Sequence, residues 1–100
     1  KFDSNEYQQW LDERNMSQEL INLIVKKMDT LNQEIANDEL LGIHYQIGHS
    51  YFCPNKSDFS NLDKDWYSKI IKTEIVPLIR EYWFDDPDRV EDIKNKLLLT

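Results

Sequence analysis

The side chains that could do chemistry cluster in the middle of the chain: His44, His49, Ser50 and Cys53. Two histidines and a cysteine suggest zinc, but a zinc site needs about four ligands converging on one point. Three candidates on a turn-rich segment fall short. The plainer reading has one histidine bonded to backbone and Cys53 as a small buried filler. His49-Ser50 suggests a nucleophile beside its base. Adjacent side chains rarely face each other, however, and a catalytic triad is a spatial arrangement. Serine is among the best helix caps, so Ser50 reads first as the cap of a short helical turn, oriented by His49. The chain carries no glycine-rich phosphate loop. Its own residues therefore give no complete active site.

All of these side chains but Cys53, which follows directly, lie in residues 42–52, Gly-Ile-His-Tyr-Gln-Ile-Gly-His-Ser-Tyr-Phe, which contain both glycines and both histidines of the chain. Ile43, Tyr45 and Ile47 alternate with His44 and Gln46, and a period of two predicts a short extended insert. Glycine among bulky neighbours marks positive φ or close approach. Gly48 is accordingly read as the hinge where the extended segment enters a helical turn at His49-Ser50.

Helices must position that insert. Asp3 is the expected cap of a first short helix, with Phe2 stapled against Tyr7, and Asn15 suits its left-handed end. Ser17 caps a second helix whose Leu20, Ile21, Ile24, Met28, Leu31 and Ile35 recur at steps of three and four. It should stop between Ala36 and Gly42. A polar loop, Pro54 to Ser60, leads to Asp63, the cap of a third long helix. Its expected stripe is Tyr67, Ile70, Ile71, Ile75, Leu78 and Tyr82, with Trp66, Ile79, Trp83 and Phe84 extending the apolar surface. Pro77 inside that helix predicts a kink. Asp86-Pro87 starts a last helix lined by Val90, Ile93 and Leu97. The expected architecture is all-α: one compact bundle of about four helices over residues 1–100, with the extended segment as an insert. Ile24, Met28, Leu31, Ile71, Ile75 and Leu78 should be buried together.

Composition narrows the function classes. One hundred residues, 40% hydrophobic, allow one modest core. A net charge of −7 disfavours direct contact with nucleic acid or an anionic membrane. The lone Cys53 permits no internal disulfide and fits a reducing, cytoplasmic setting. No apolar run approaches the length of a membrane span. The chain opens on Lys1, inside an apparent helix start, as a piece of a longer protein would.

Gln46-Ile47-Gly48-His49-Ser50-Tyr51-Phe52 resembles the IGHSYF signature of the GTP-hydrolysing subunit of McrBC-type, modified-cytosine restriction systems. The flanks agree. Residues 28–35 look like that family's "M..LN..I" helix, and residues 38–42 its "D..LG" approach. Residues 74–86 look like its "EI.PLL.EYWFDD" helix. The resemblance covers most of the chain.

The resemblance implies the small helical lid that follows the α/β core of an AAA+ motor. The motor would hydrolyse GTP or ATP with Mg²⁺, assemble as a ring with neighbouring subunits, and recruit a nuclease subunit. The lid alone would carry no cofactor and no metal, and would not be an enzyme. In AAA+ lids the start of the third helix faces the nucleotide phosphates, often through an arginine. Gly48, His49 and Ser50 stand at that place here, without an arginine, and are the expected nucleotide-binding residues. The alternative is a helical protein-interaction module with no nucleotide role. A GxxxxGK[ST] motif upstream in the parent gene would discriminate the two.

Overall fold

The computed structural model describes residues 2–59 and 61–98. Helix α1 spans Asn5–Glu13 and α2 spans Gln18–Asn37. Helix α3 (Lys64–Ile70), a π-helical segment (Ile71–Ile75) and α4 (Val76–Tyr82) follow one another without a break, and α5 spans Pro87–Leu98. The fold is all-α, as expected: four helical rods, the third assembled from three pieces. The described residues contain no strand, and no helix among them is long and apolar enough to cross a membrane.

Side-chain caps set most of these boundaries. Ser17 Oγ accepts from the Leu20 N–H at 3.1 Å, Asp63 Oδ1 from the Trp66 N–H at 2.9 Å, and Asp86 Oδ1 from the Arg89 N–H at 3.2 Å. Each satisfies a first-turn donor that the helix cannot. The first helix differs from expectation. Its cap is Ser4, which accepts from the Tyr7 N–H at 3.3 Å, while the Asp3 carbonyl takes a hydrogen bond from Gln8 Nε2. The backbone bends at Ser4, with ψ 141°, so only that side chain reaches the third N–H beyond it. Phe2 packs edge-on to Tyr7 at 5.8 Å between ring centroids, but with Ser4 as the cap the two no longer hold the N′ and N4 positions of a staple. Asn15, at φ 64°, reverses the chain into α2.

The insert also differs. Residues Ile43–Tyr45 wind as a 3-10 turn, and extended backbone is confined to residues such as Gln46 and Gly48. Alternation alone cannot hold a strand, because its backbone groups need a partner. Here they are satisfied locally: the Tyr45 N–H bonds to the Gly42 carbonyl at 3.1 Å, and the Gln46 N–H to Ile43 at 3.4 Å. Ile43 and Tyr45 are left exposed and only Ile47 turns inward. The polar loop carries a turn over Lys56–Asp58, closed by a capping box between Asn55 and Asp58. Ser60, the expected end of that loop, lies outside the described residues.

All six expected apolar residues of α2 are buried. They pack with Tyr67, Ile71, Ile75, Val76, Ile79 and Trp83 of the third rod. That rod departs from a plain 3.6-residue stripe. Pro77 has no N–H to give the Thr73 carbonyl. The helix upstream of it widens, and the Val76 N–H reaches back to Ile71. Widening rotates the following residues. Val76, Ile79 and Trp83 turn into the core, while Leu78 and Tyr82 move to its edge. Of the six residues expected to be buried together, Leu78 alone is only partly covered. Phe84, expected to extend the apolar surface, is 82% exposed.

Helix α5 closes the bundle. The buried Tyr67 hydroxyl donates to the Leu97 carbonyl at 2.8 Å. Leu97 lies in the last turn of α5, where carbonyls lack helical partners. Burial pushes the Tyr67 phenol pKa up, which keeps the donor protonated. Tyr67→Phe should therefore destabilise the chain by about 1–2 kcal/mol, because it strands a buried acceptor while changing shape little. Urea denaturation measures this, and an unchanged midpoint would show that α5 docks without the bond.

Candidate functional site

The candidate residues lie on the turn over His49–Phe52, a single 3-10 turn with no side-chain cap. Ser50 therefore does not cap it. The turn begins at His49, so the Ser50 side chain sits past the capping position. Gly48 has φ −83° and ψ 155°, ordinary extended backbone, and a Cβ there would meet only Ser50 Oγ, at 3.9 Å. Neither positive φ nor close approach explains it within the described residues. The glycine that needs its freedom is Gly42, at φ +83°.

What holds the turn is a side chain from α2. Asn32 Oδ1 accepts from the Ile47 N–H at 2.6 Å, and Asn32 Nδ2 donates to the Ile47 carbonyl at 3.0 Å. Gln46 Nε2 donates to the Asn32 carbonyl at 3.2 Å. One carboxamide thus serves both backbone groups of Ile47, whose own side chain is anchored in the core. From the other side, Phe52 drives into the core, stacks on Tyr67 at 5.8 Å and gives its carbonyl to the Tyr7 hydroxyl at 2.8 Å. Burial, above all, raises the Tyr7 phenol pKa, so this donor too stays protonated.

Between these anchors His49 and Ser50 stay exposed. The His49 ring lies on Tyr7, with centroids 4.8 Å apart and 21° between planes. Cys53 donates its thiol to the His49 carbonyl at 3.4 Å, and burial pushes its pKa up, away from a reactive thiolate. Ser50 stands on a ridge between two hollows. One, of about 580 Å³, is lined by Gln33, Gln46, Gly48 and His49 among others; the second, of about 550 Å³, by Tyr51, Asn55, Asp58 and Lys69 among others. The turn offers an imidazole, a hydroxyl and backbone N–H groups, and no lysine or arginine of its own. Such a set can contact a phosphate but cannot neutralise one or hold Mg²⁺. Among the described residues no three His, Cys, Asp or Glu side chains are placed to share a metal ion.

A second node was not singled out from the sequence. Asp38, just past the end of α2, accepts from Trp83 Nε1 at 2.8 Å through one oxygen and from the Leu40 N–H at 2.9 Å through the other. Arg89 of α5 lies 3.6 Å from the same carboxylate, and its guanidinium covers the Trp83 ring at 4.4 Å. Three rods are thereby joined where the insert begins. The Trp83 bond, helped by Leu40 and Arg89, holds the Asp38 carboxyl below the usual aspartate range. The sequence signal existed: Asn32 lies in the "LN" pair, Asp38 opens "D..LG", and Trp83 lies in "EYWFDD".

The sequence matches the family described as McrB, alpha-helical lid domain, over residues 23–91. That span includes Asn32, Asp38, the Gly48–Ser50 turn and Trp83. The chain is also 38% identical over 98 residues to the type IV methyl-directed restriction enzyme EcoKMcrB subunit of Escherichia coli (strain K12). The alignment covers 97% of this chain and 21% of that protein, so the chain spans about a fifth of the relative's length.

Two measurements probe the supports. Asn32→Ala should cost about 1–3 kcal/mol and speed amide exchange at Ile47, since both its backbone groups lose their partner; unchanged exchange would mean the insert holds itself. The Asp38 pKa is lower folded than unfolded. Its contribution is therefore complete above the ordinary value of 3.8 and fades as pH falls through the folded one. The stability advantage over Asp38→Asn should persist at neutral pH and shrink under acid. An advantage independent of pH would show that the carboxylate charge is irrelevant.

Proposed function

The chain belongs to the McrB alpha-helical lid family, and from that premise we propose that it closes over the nucleotide of an AAA+ motor that drives modification-dependent DNA restriction. The motor would bind GTP or ATP with Mg²⁺ on its α/β core and work in the cytoplasm. It would assemble as a ring with neighbouring subunits and act with a nuclease subunit. Gly48, His49 and Ser50 face the bound nucleotide. The lid moves as one body when hydrolysis changes what that turn touches, and passes the motion to the neighbouring subunit. It makes no direct contact with DNA.

The observation that carries this reading is the combination of exposure and bracing at one turn. His49 and Ser50 reach solvent, yet their backbone is fixed by Asn32 below and by Phe52 and Tyr7 beside it. A turn with no role beyond linkage has no need of that support, whereas a ligand contact gains from being held before the ligand arrives. The donor set suits a supporting contact to phosphate oxygens. Charge neutralisation and metal binding fall to the core.

Two variants separate ligand contact from packing. His49→Ala removes the imidazole and its stack on Tyr7, and should cost the chain about 1 kcal/mol. His49→Phe keeps a ring there and should leave the melting temperature of the chain unchanged. In the intact protein both should slow nucleotide hydrolysis. Native turnover by His49→Phe would mean that His49 serves only to stack. The chain alone should hydrolyse neither GTP nor ATP, because the groups that hold Mg²⁺ and the β/γ phosphates are not among its residues. Turnover above a buffer control by the purified chain would defeat the lid reading.

A further inference from the structure

The two ends of α5 present complementary surfaces. At its start, Phe84 is 82% exposed, and Asp85 and Asp88 are exposed beside it. At its other end, Ile93 and Leu97 join Leu31 of α2 to floor a groove of about 270 Å³. Lys26, Lys27 and Lys96 stand on its rim, with Glu34 the only acid lining it. Lys27 donates to the Lys96 carbonyl at 2.7 Å and Lys96 pairs with Asp92 at 3.0 Å, which holds these lysines near the groove. On a chain of net charge −7, a lysine-rimmed apolar groove is a local reversal of sign.

We propose that Phe84 of one copy inserts into the groove of a second copy, its neighbouring aspartates facing the three lysines. The apolar ring supplies area and the charges supply register. From Pro87 to Ile93 and Leu97 the helix rises about 9–15 Å, and Phe84 does not line the groove of its own copy. Each copy carries one knob and one groove, and such a head-to-tail contact closes into a ring when the rotation between copies allows. The contact is smaller than the roughly 1,000 Å² that holds a stable pair alone. It therefore acts as one contact of a larger assembly, and in this it rests on the ring proposed above.

Sedimentation velocity of the intact protein with nucleotide tests the contact. Phe84→Ser should raise the concentration needed for assembly about tenfold, as loss of an aromatic anchor does. It should leave the melting temperature unchanged, because the ring is exposed. Asp85→Lys with Asp88→Lys should weaken assembly, as should Lys26→Glu with Lys96→Glu, and mixing the two proteins should restore it. Native assembly by Phe84→Ser, or no restoration on mixing, overturns the contact while leaving the ring intact. A native protein that stays monomeric with every nucleotide overturns the ring and the contact together.

Discussion

The placement of the exposed Gly48–Ser50 turn depends on the carboxamide of Asn32 holding the backbone of Ile47. A mid-helix residue has no free backbone N–H to give a passing loop, because its N–H is already paired within the helix. Asparagine solves this by presenting a donor and an acceptor at the end of a short side chain. It gives Ile47 both bonds that a neighbouring strand would give, with no strand present. The Ile47 side chain then enters the core, and the chain leaves it pointed at Gly48 and His49 in a fixed direction. The rigidity of α2, with six residues buried along one face, is thus handed to a loop with little regular structure of its own.

Two further constraints keep that geometry in place. Pro77 and the π-helical segment turn Trp83 toward the core, where its indole N–H meets Asp38. Asp38 stands at the end of α2, immediately before the insert. Arg89 joins from α5, so the start of the insert is fixed to three rods by one carboxylate. At the far end of the insert, Phe52 and Tyr7 tie the chain to α3 and α1. The insert is anchored at its start, middle and end, and the residues between the anchors are the ones left exposed.

Electrostatics divide the labour. The chain is acidic, and the exposed turn carries no lysine or arginine of its own, so any anion it meets must be neutralised by groups outside it. This suits a surface that senses a ligand held elsewhere better than one that captures it unaided. Three lysines, Lys26, Lys27 and Lys96, rim the α2–α5 groove. The exposed turn and that groove share no lining residue.

The sequence by itself determined the helices, because caps and apolar spacing are local. Ser17, Asp63 and Asp86-Pro87 start helices as their chemistry demands, and the α2 stripe is buried along its whole length. The family was also legible, since its motifs lie in short contiguous runs. Whether Gly48, His49 and Ser50 meet a nucleotide was not legible, because a contact to a ligand is not encoded in a local run of residues. The tertiary structure decided the rest. The alternation of Ile43, Tyr45 and Ile47 looks like a strand until no partner strand is found. Ser4 rather than Asp3 caps α1 because the backbone bends there. The widened turn before Pro77 selects Val76 over Leu78 for the core. Asn32 and Asp38 read as ordinary polar residues on a helix and at its end. Their roles come from partners 15 and 45 residues away, and no local pattern encodes a hydrogen bond across that distance.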